Sequence, residues 1–328
     1  MSQSVQDRKF FHSFPRPKQG ESPNDTLERG LRILALMRKI GLLLAPELVS
    51  WDVSLVSNGT EQLSTLQRRA CFTELSEAEL PAHSAIFGPT ALSFNLMALR
   101  SAGATPVIYV PQGISESLLS QLGTFCVRGA HHTRYILNQL QGLKEMSDPT
   151  IAEKRLGLPV NPNYQLDLRN TDAEGKVVAR YPVAASDVRH VLQHVGYNNI
   201  PFDHSVAILT VFLNMFYPTD NAHTGDALGY YRQREWRVIA GDINFNQRPM
   251  GRSMSPTEIA EVEDIDPQFW TRELTVDGVP TRRSALAQIY DPVPDWDFFS
   301  LVEEVLVPRE AVDRVREIVG EDVPVRVI

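Results

Sequence analysis

The chain has 328 residues, 43% hydrophobic and 22% charged, with 40 acidic against 32 basic side chains and a formal net charge of -8. That length can bury a sizeable core, and the acidic balance excludes broad, non-specific attraction to nucleic acid or anionic membrane. Two cysteines, Cys71 and Cys126, exclude a disulfide framework and a cysteine-rich metal centre; nothing resembles a secretory leader, and the longest apolar run, residues 206–217, is too short to cross a bilayer, so the cytoplasm is the expected compartment.

In chain order, Lys9-Phe10-Phe11-His12-Ser13-Phe14 alternates as a first strand, which Pro15, Pro17, Gly20 and Pro23 break. A helix follows, capped by Asn24 or Asp25, with Leu27, Leu31, Leu34 and Met37 at helical spacing up to Gly41. Leu42-Leu43-Leu44 runs into Pro46, residues 69–75 form a short strand, and residues 86–99 combine a strand with a buried helix. After the turn Gly103-Ala104-Thr105-Pro106, the β-favouring Val107-Ile108-Tyr109-Val110 predicts a central strand.

Residues 113–145 read as helix and 148–175 as a polar connection with weak strand character. Strand 177–181, a helix 186–196 capped by Ser186 and a buried helix 205–217 come next. Beyond residue 240, Pro, Asp and Arg dominate, with helix at 257–262 and strand at 270–276. The tail reads as strand 302–307, helix 309–319 and strand 323–328. The expected fold is α+β (mixed α/β), a central mostly antiparallel sheet with packed helices, in one compact domain spanning 1–328 with insertions at about 113–226 and 241–299.

The chemistry concentrates in Ala227 to Trp236, where alternation puts Tyr231, Gln233 and Glu235 on one strand face and Arg232, Arg234 and Trp236 on the other. Gln-x-Glu on a strand delivers an amide and a carboxylate to one patch, which suits stabilising a sugar cation and orienting an acceptor. The plainer reading is an edge strand with Arg and Glu paired at the surface and Trp236 in the core. His12 and Thr73 are the other polar residues on expected strands; His12 is also explained as a strand-end histidine bonded to a carbonyl. Cys71 reads as a small core residue. His190 and His194 have the four-residue spacing of a metal pair but lack a third ligand, and His131-His132 reads as surface histidine. No metal is expected. Neither a dinucleotide fingerprint nor a P-loop can be written, which removes kinases and NTPases.

One set of motifs resembles a family. His12, a helix ending in Gly41-Leu42-Leu43, Cys71-Phe72-Thr73-Glu74-Leu75, His83, Phe87-Gly88, Phe94, Gly103-Ala104-Thr105-Pro106-Val107-Ile108-Tyr109 and Tyr231-Arg232-Gln233-Arg234-Glu235-Trp236-Arg237 follow the layout of the AbiGi-type abortive phage-resistance proteins and related bacterial domains of unknown function. The similarity covers about residues 10–112, 228–240 and the tail from 300. Gln233 departs from it, since family members often carry Glu-Arg-Glu there. Gln-x-Glu resembles the catalytic turn of ADP-ribosyltransferases, where both Glu-x-Glu and Gln-x-Glu occur, and the opening strand with its histidine is similar to that of DarT-like ADP-ribosyltransferases.

These resemblances imply a bacterial antiphage protein of the abortive-infection or toxin-antitoxin type, with an ADP-ribosyltransferase-like site taking NAD as substrate. On that expectation Glu235 and Gln233 are catalytic, while His12, Thr73 and Tyr231 contact the cofactor. Arg234 and Arg237 are then candidates for its pyrophosphate, and the acceptor is a nucleic acid or protein. The alternative is a non-catalytic antitoxin or regulator that binds a cognate toxin.

Overall fold

In the computed structural model the described residues are 9–53, 62–111, 118–172, 174–194, 202–219, 234–240, 244–245, 248–276, 278–292 and 297–328. The chain packs as two units, residues 1–124 with 214–328, and residues 125–213. The architecture is α+β, as composition and periodicity predict.

The larger unit is built on a sheet of ten strands among the described residues. Strand β1 (Lys9–Phe14), β2 (Leu43–Asp52), β3 (Gln62–Leu75) and β4 (Thr90–Asn95) form its centre in the order β2-β3-β1-β4. Gln288–Tyr290 and then Gly251–Ser253 extend it beyond β2, and Glu304–Val307 and then Val325–Val327 extend it beyond β4. Every pairing is antiparallel except the last, where the tail's strand-helix-strand unit returns parallel.

Helix α1 (Pro23–Ile40) lies over this sheet because Leu27, Leu31, Leu34 and Met37 bring one apolar stripe onto Phe10, Phe14, Phe72, Phe94 and Val238. Its cap is Ser22, whose hydroxyl accepts from the Asp25 amide, not Asn24 or Asp25 as expected; Pro23 then occupies the first helical position, where no N–H is needed. On the opposite face of the sheet, Phe11 joins Leu80, Ala91 and Leu306 in a separate cluster. Pro46 does not end the segment after Gly41: it sits inside β2, opposite Arg68.

The registers contain one irregularity that matters. β2 pairs with β3 from Gln62 to Arg69, and β1 pairs with it from Thr73 to Leu75. The strand Glu235–Ala240 covers Arg68 to Thr73, overlapping both, so it must occupy the other edge. β1 and β2 therefore share one edge of β3 and part around residues 70–72. The cause is local: β1 stays registered with β4 along its whole length, up to Phe14 opposite Thr90, and Pro15 and Pro17 beyond it have no N–H to return to β3.

Two strand expectations are corrected. Thr105–Pro106 does pair with the Glu235 strand, but residues 108–111 leave the main sheet and pair in parallel with Phe216–Thr219. The predicted central strand is thus a peripheral one, turned away where Pro106 can donate no ladder bond. Arg234 stands at φ 44, in the left-handed region, so the regular strand begins at Glu235 and alternation cannot be carried back through Arg234.

Within the unit 125–213, the continuation of the helix Leu118–Ser147 is followed by a helix at Pro149–Leu156 capped by Asp148, in a stretch expected to be a mere connection. A hairpin of Gln165–Thr171 and Val177–Ala184 leads into the helix Ala185–His194. His131 is buried, not at the surface, and burial pushes its imidazole down to about 4. Among the described residues no helix is long and apolar enough to cross a membrane.

Candidate ligand-binding site

Where β1 and β2 part, the sheet opens into a cavity of about 660 Å³. His12, Cys71 and Ala70 sit at the fork; α1 contributes Ile33, Leu36 and Met37, and the segment 262–270 contributes Phe269 and Trp270. In the unpaired stretch of β3 the Cys71 carbonyl has no strand partner on this edge, and His12 Nδ1 lies 2.8 Å from it. A carbonyl only accepts, so Nδ1 carries the proton and Nε2 holds the lone pair. Burial keeps this imidazole neutral by lowering its pKa, against the opposing pull of the Cys71 carbonyl. The reading of His12 as bonded to a carbonyl holds, although it stands inside β1 and not at the strand's end, and the same residue lines the cavity.

Glu235 belongs to a different constellation. Its carboxylate accepts from Arg237 Nε at 2.8 Å and from the Tyr109 hydroxyl at 2.6 Å, and the Cys71 thiol is a third partner. Burial would raise this carboxyl, but the Arg237 charge and these hydrogen bonds outweigh it and hold it below the ordinary range. Burial and the Glu235 charge push Cys71 up to about 12. Arg237 lies 4.4 Å over the Tyr217 ring, with Arg69 at 4.9 Å, and Tyr217 donates to Glu47 at 3.1 Å. The side chains of Glu235 and Arg237 are only 12% and 3% exposed, so the surface-pair reading is corrected: this is an interior ion pair on a strand flanked on both sides.

The expected site residues divide accordingly. Thr73 stands opposite both Phe11 and Glu235, and directly opposed residues project to one face. His12 alternates to the other face, where its ring lies 5.5 Å from Phe72. Thr73 and Glu235 are brought together; His12 is not with them. The link between the two places is β3 itself, since Cys71 and Arg69 both line the cavity and touch the Glu235 cluster. Gln233 and Tyr231 lie outside the described residues. Arg234 donates two bonds to Glu79, at 2.8 and 2.9 Å, and Arg237 serves Glu235, so both arginines suggested for pyrophosphate are committed to carboxylates.

Cations line the cavity instead. Lys18 pairs with Asp266 at 2.5 Å, Arg29 with Asp266 and Glu21, and Arg69 with Glu47. Arg16 and Arg283 lie on aromatic rings, 4.9 Å over Phe87 and 4.5 Å over Phe269. Neither arginine is marked by a sequence motif; Arg16 follows His12 by four residues, while only long-range packing brings Arg283 to the same cavity. His83, quoted in the family layout, stacks on Phe87 at 4.4 Å and meets Ser13 Oγ at 3.2 Å, and burial pushes it down to about 4. His190 and His194 are exposed, and among the described residues no three His, Cys, Asp or Glu side chains group as metal ligands. Comparison with protein-family models, with curated proteins and with solved structures finds no match to this chain.

Proposed function

We propose that this protein binds an NAD-type dinucleotide in the fork cavity and serves bacterial antiphage defence of the abortive-infection or toxin-antitoxin type, as an ADP-ribosyltransferase-like protein. The observation that carries the reading is the cavity itself: its volume lies within the range of small-ligand sites, its walls combine aromatic rings with guanidinium groups, and it meets the neutral His12 at a break in the sheet. An aromatic base suits the apolar lining supplied by Ile33, Leu36 and Met37, and His12 Nε2 can accept from a ribose hydroxyl or an amide.

In the proposed reaction the bond between nicotinamide and C1′ breaks with its electron pair leaving on nicotinamide. An acceptor oxygen then bonds to C1′ and gives up its proton to water. Glu235 would stabilise the cationic sugar, which requires its carboxylate to exchange the Tyr109 and Cys71 hydrogen bonds for substrate contacts. Only the width of β3 at Cys71 separates it from the cavity.

A second reading, a non-catalytic antitoxin or regulator that binds a cognate toxin, is favoured by one observation: the Glu235–Arg237 pair is interior, which gives the signature strand a purely structural role. Incubating the protein with labelled NAD and cell lysate separates the two. Nicotinamide release or label transfer that disappears in Glu235→Gln supports the enzyme. Binding of NAD with neither event supports the regulator, and absence of NAD binding removes the dinucleotide from both.

A further inference from the structure

Five cationic side chains line the fork cavity among the described residues, and they fall into two groups. Lys18, Arg29 and Arg69 are each neutralised by a carboxylate. Arg283 is not. Its Nε is buried with no hydrogen-bond partner, its guanidinium carbon lies 4.5 Å from the centre of the Phe269 ring, and no carboxylate among the described residues comes within ion-pair distance. Arg16, on the same cavity, is likewise held by a ring and not by a carboxylate. A half-buried guanidinium held on an aromatic ring, with no carboxylate bonded to it and only the more distant Glu47 charge to offset its own, keeps N–H groups that a planar or tetrahedral oxyanion satisfies by charge-assisted hydrogen bonding.

We propose that Arg283 is the anion-binding residue of the fork cavity, receiving a phosphate group of the ligand, with Arg16 as a second guanidinium lining the same cavity. The identity of that phosphate as part of a dinucleotide rests on the function proposed above; the anion site does not. The geometry also gives the cavity a polarity. The apolar lining from Ile33, Leu36 and Met37 offers hydrophobic contact, while His12 at the fork offers a neutral acceptor, so a ligand that joins a charged group to an uncharged, partly apolar one fits its chemistry.

The test is calorimetric titration of the full chain with four probes: NAD, ADP-ribose, inorganic pyrophosphate and phosphate-free nicotinamide riboside. Arg283→Gln is expected to weaken NAD, ADP-ribose and pyrophosphate at least about tenfold while leaving nicotinamide riboside unchanged, and Arg283→Lys to recover part of the loss because it restores charge without the fork. Thermal melts of both variants establish that they fold. If the unsubstituted chain binds pyrophosphate through Arg283 but not NAD or ADP-ribose, the anion site stands as a free-phosphate site and the dinucleotide reading falls. Equal affinity of Arg283→Gln and the unsubstituted chain for NAD and pyrophosphate would overturn the inference while leaving the dinucleotide reading intact, and no binding of either probe would overturn both.

Discussion

The two polar regions on either side of Cys71 are built on opposite rules. In the Glu235 cluster the carboxylate is bound by a guanidinium, a phenol and a thiol, and almost no solvent reaches it. In the fork cavity the sheet is open, His12 keeps one nitrogen unspent, and two of the lining arginines rest on rings without carboxylate partners. The first arrangement neutralises buried charge with buried charge, as stability demands, with only Arg237 Nη1 left without a partner; the second leaves guanidinium groups with no carboxylate bonded to them. A motif that looks catalytic in the sequence has gone to the closed region, and the open one is lined by residues that no motif marks.

The sharpest break of this comparison is Arg237→Ala. It leaves Glu235 buried without its cation, and should cost about 3–5 kcal/mol of stability in urea denaturation. Replacing both charges, Glu235→Leu with Arg237→Met, should recover most of that loss because no lone charge remains. A loss below about 1 kcal/mol for Arg237→Ala would mean that water reaches the cluster freely.

The thiols give a second, chemical contrast. Cys71, pushed up to about 12 by burial and by Glu235, should react with an aromatic disulfide reagent at pH 8 roughly a hundredfold or more slowly than exposed Cys126. Equal rates would show that the wall between cluster and cavity is open.

Within the cavity wall, the paired cations should respond to acid. A hydrogen bond from Arg29 draws the Glu21 carboxyl down to about 2 from an ordinary 4.5. Its stabilising share is therefore complete above pH 4.5 and is lost as the pH falls towards 2, and Glu21→Gln should flatten the stability profile in that window. By contrast, Arg283→Ala should cost no more than about 1 kcal/mol, the share of its contact with Phe269, since it makes no ion pair to lose. A larger loss would assign Arg283 to the fold and not to a ligand.

Much of the frame was legible from local pattern. The leucine spacing of α1, the alternation of β1 and the strand-helix-strand tail each follow from periodicity, because the side chains that encode them are neighbours in sequence. The cap was misplaced by two or three residues because Ser22, Asn24 and Asp25 are all good caps, and only Ser22 leaves Pro23 at the first helical position. The strand at 107–110 was read as central because four β-formers look alike in any sheet; its departure after Pro106 is a tertiary fact.

The site was legible only in parts. His12, Thr73 and Glu235 were named from their strands, but which of them meet depends on the parting of β1 and β2 along β3, a consequence of three registers that no single segment encodes. Alternation did assign Thr73 and Glu235 to one face and His12 to the other once those registers were known. Arg283 and Tyr109 reach their partners through the fold, and only Tyr109 stood in a quoted motif.

The central claim is that the open fork, not the closed cluster, takes the ligand. Titrating NAD calorimetrically into Ala45→Trp, which fills the cavity, and into Glu235→Gln, which alters the cluster, tests it directly. Ala45→Trp is expected to lose NAD binding while remaining folded, and Glu235→Gln to keep it. Retained binding in Ala45→Trp, with loss in Glu235→Gln, would contradict the claim.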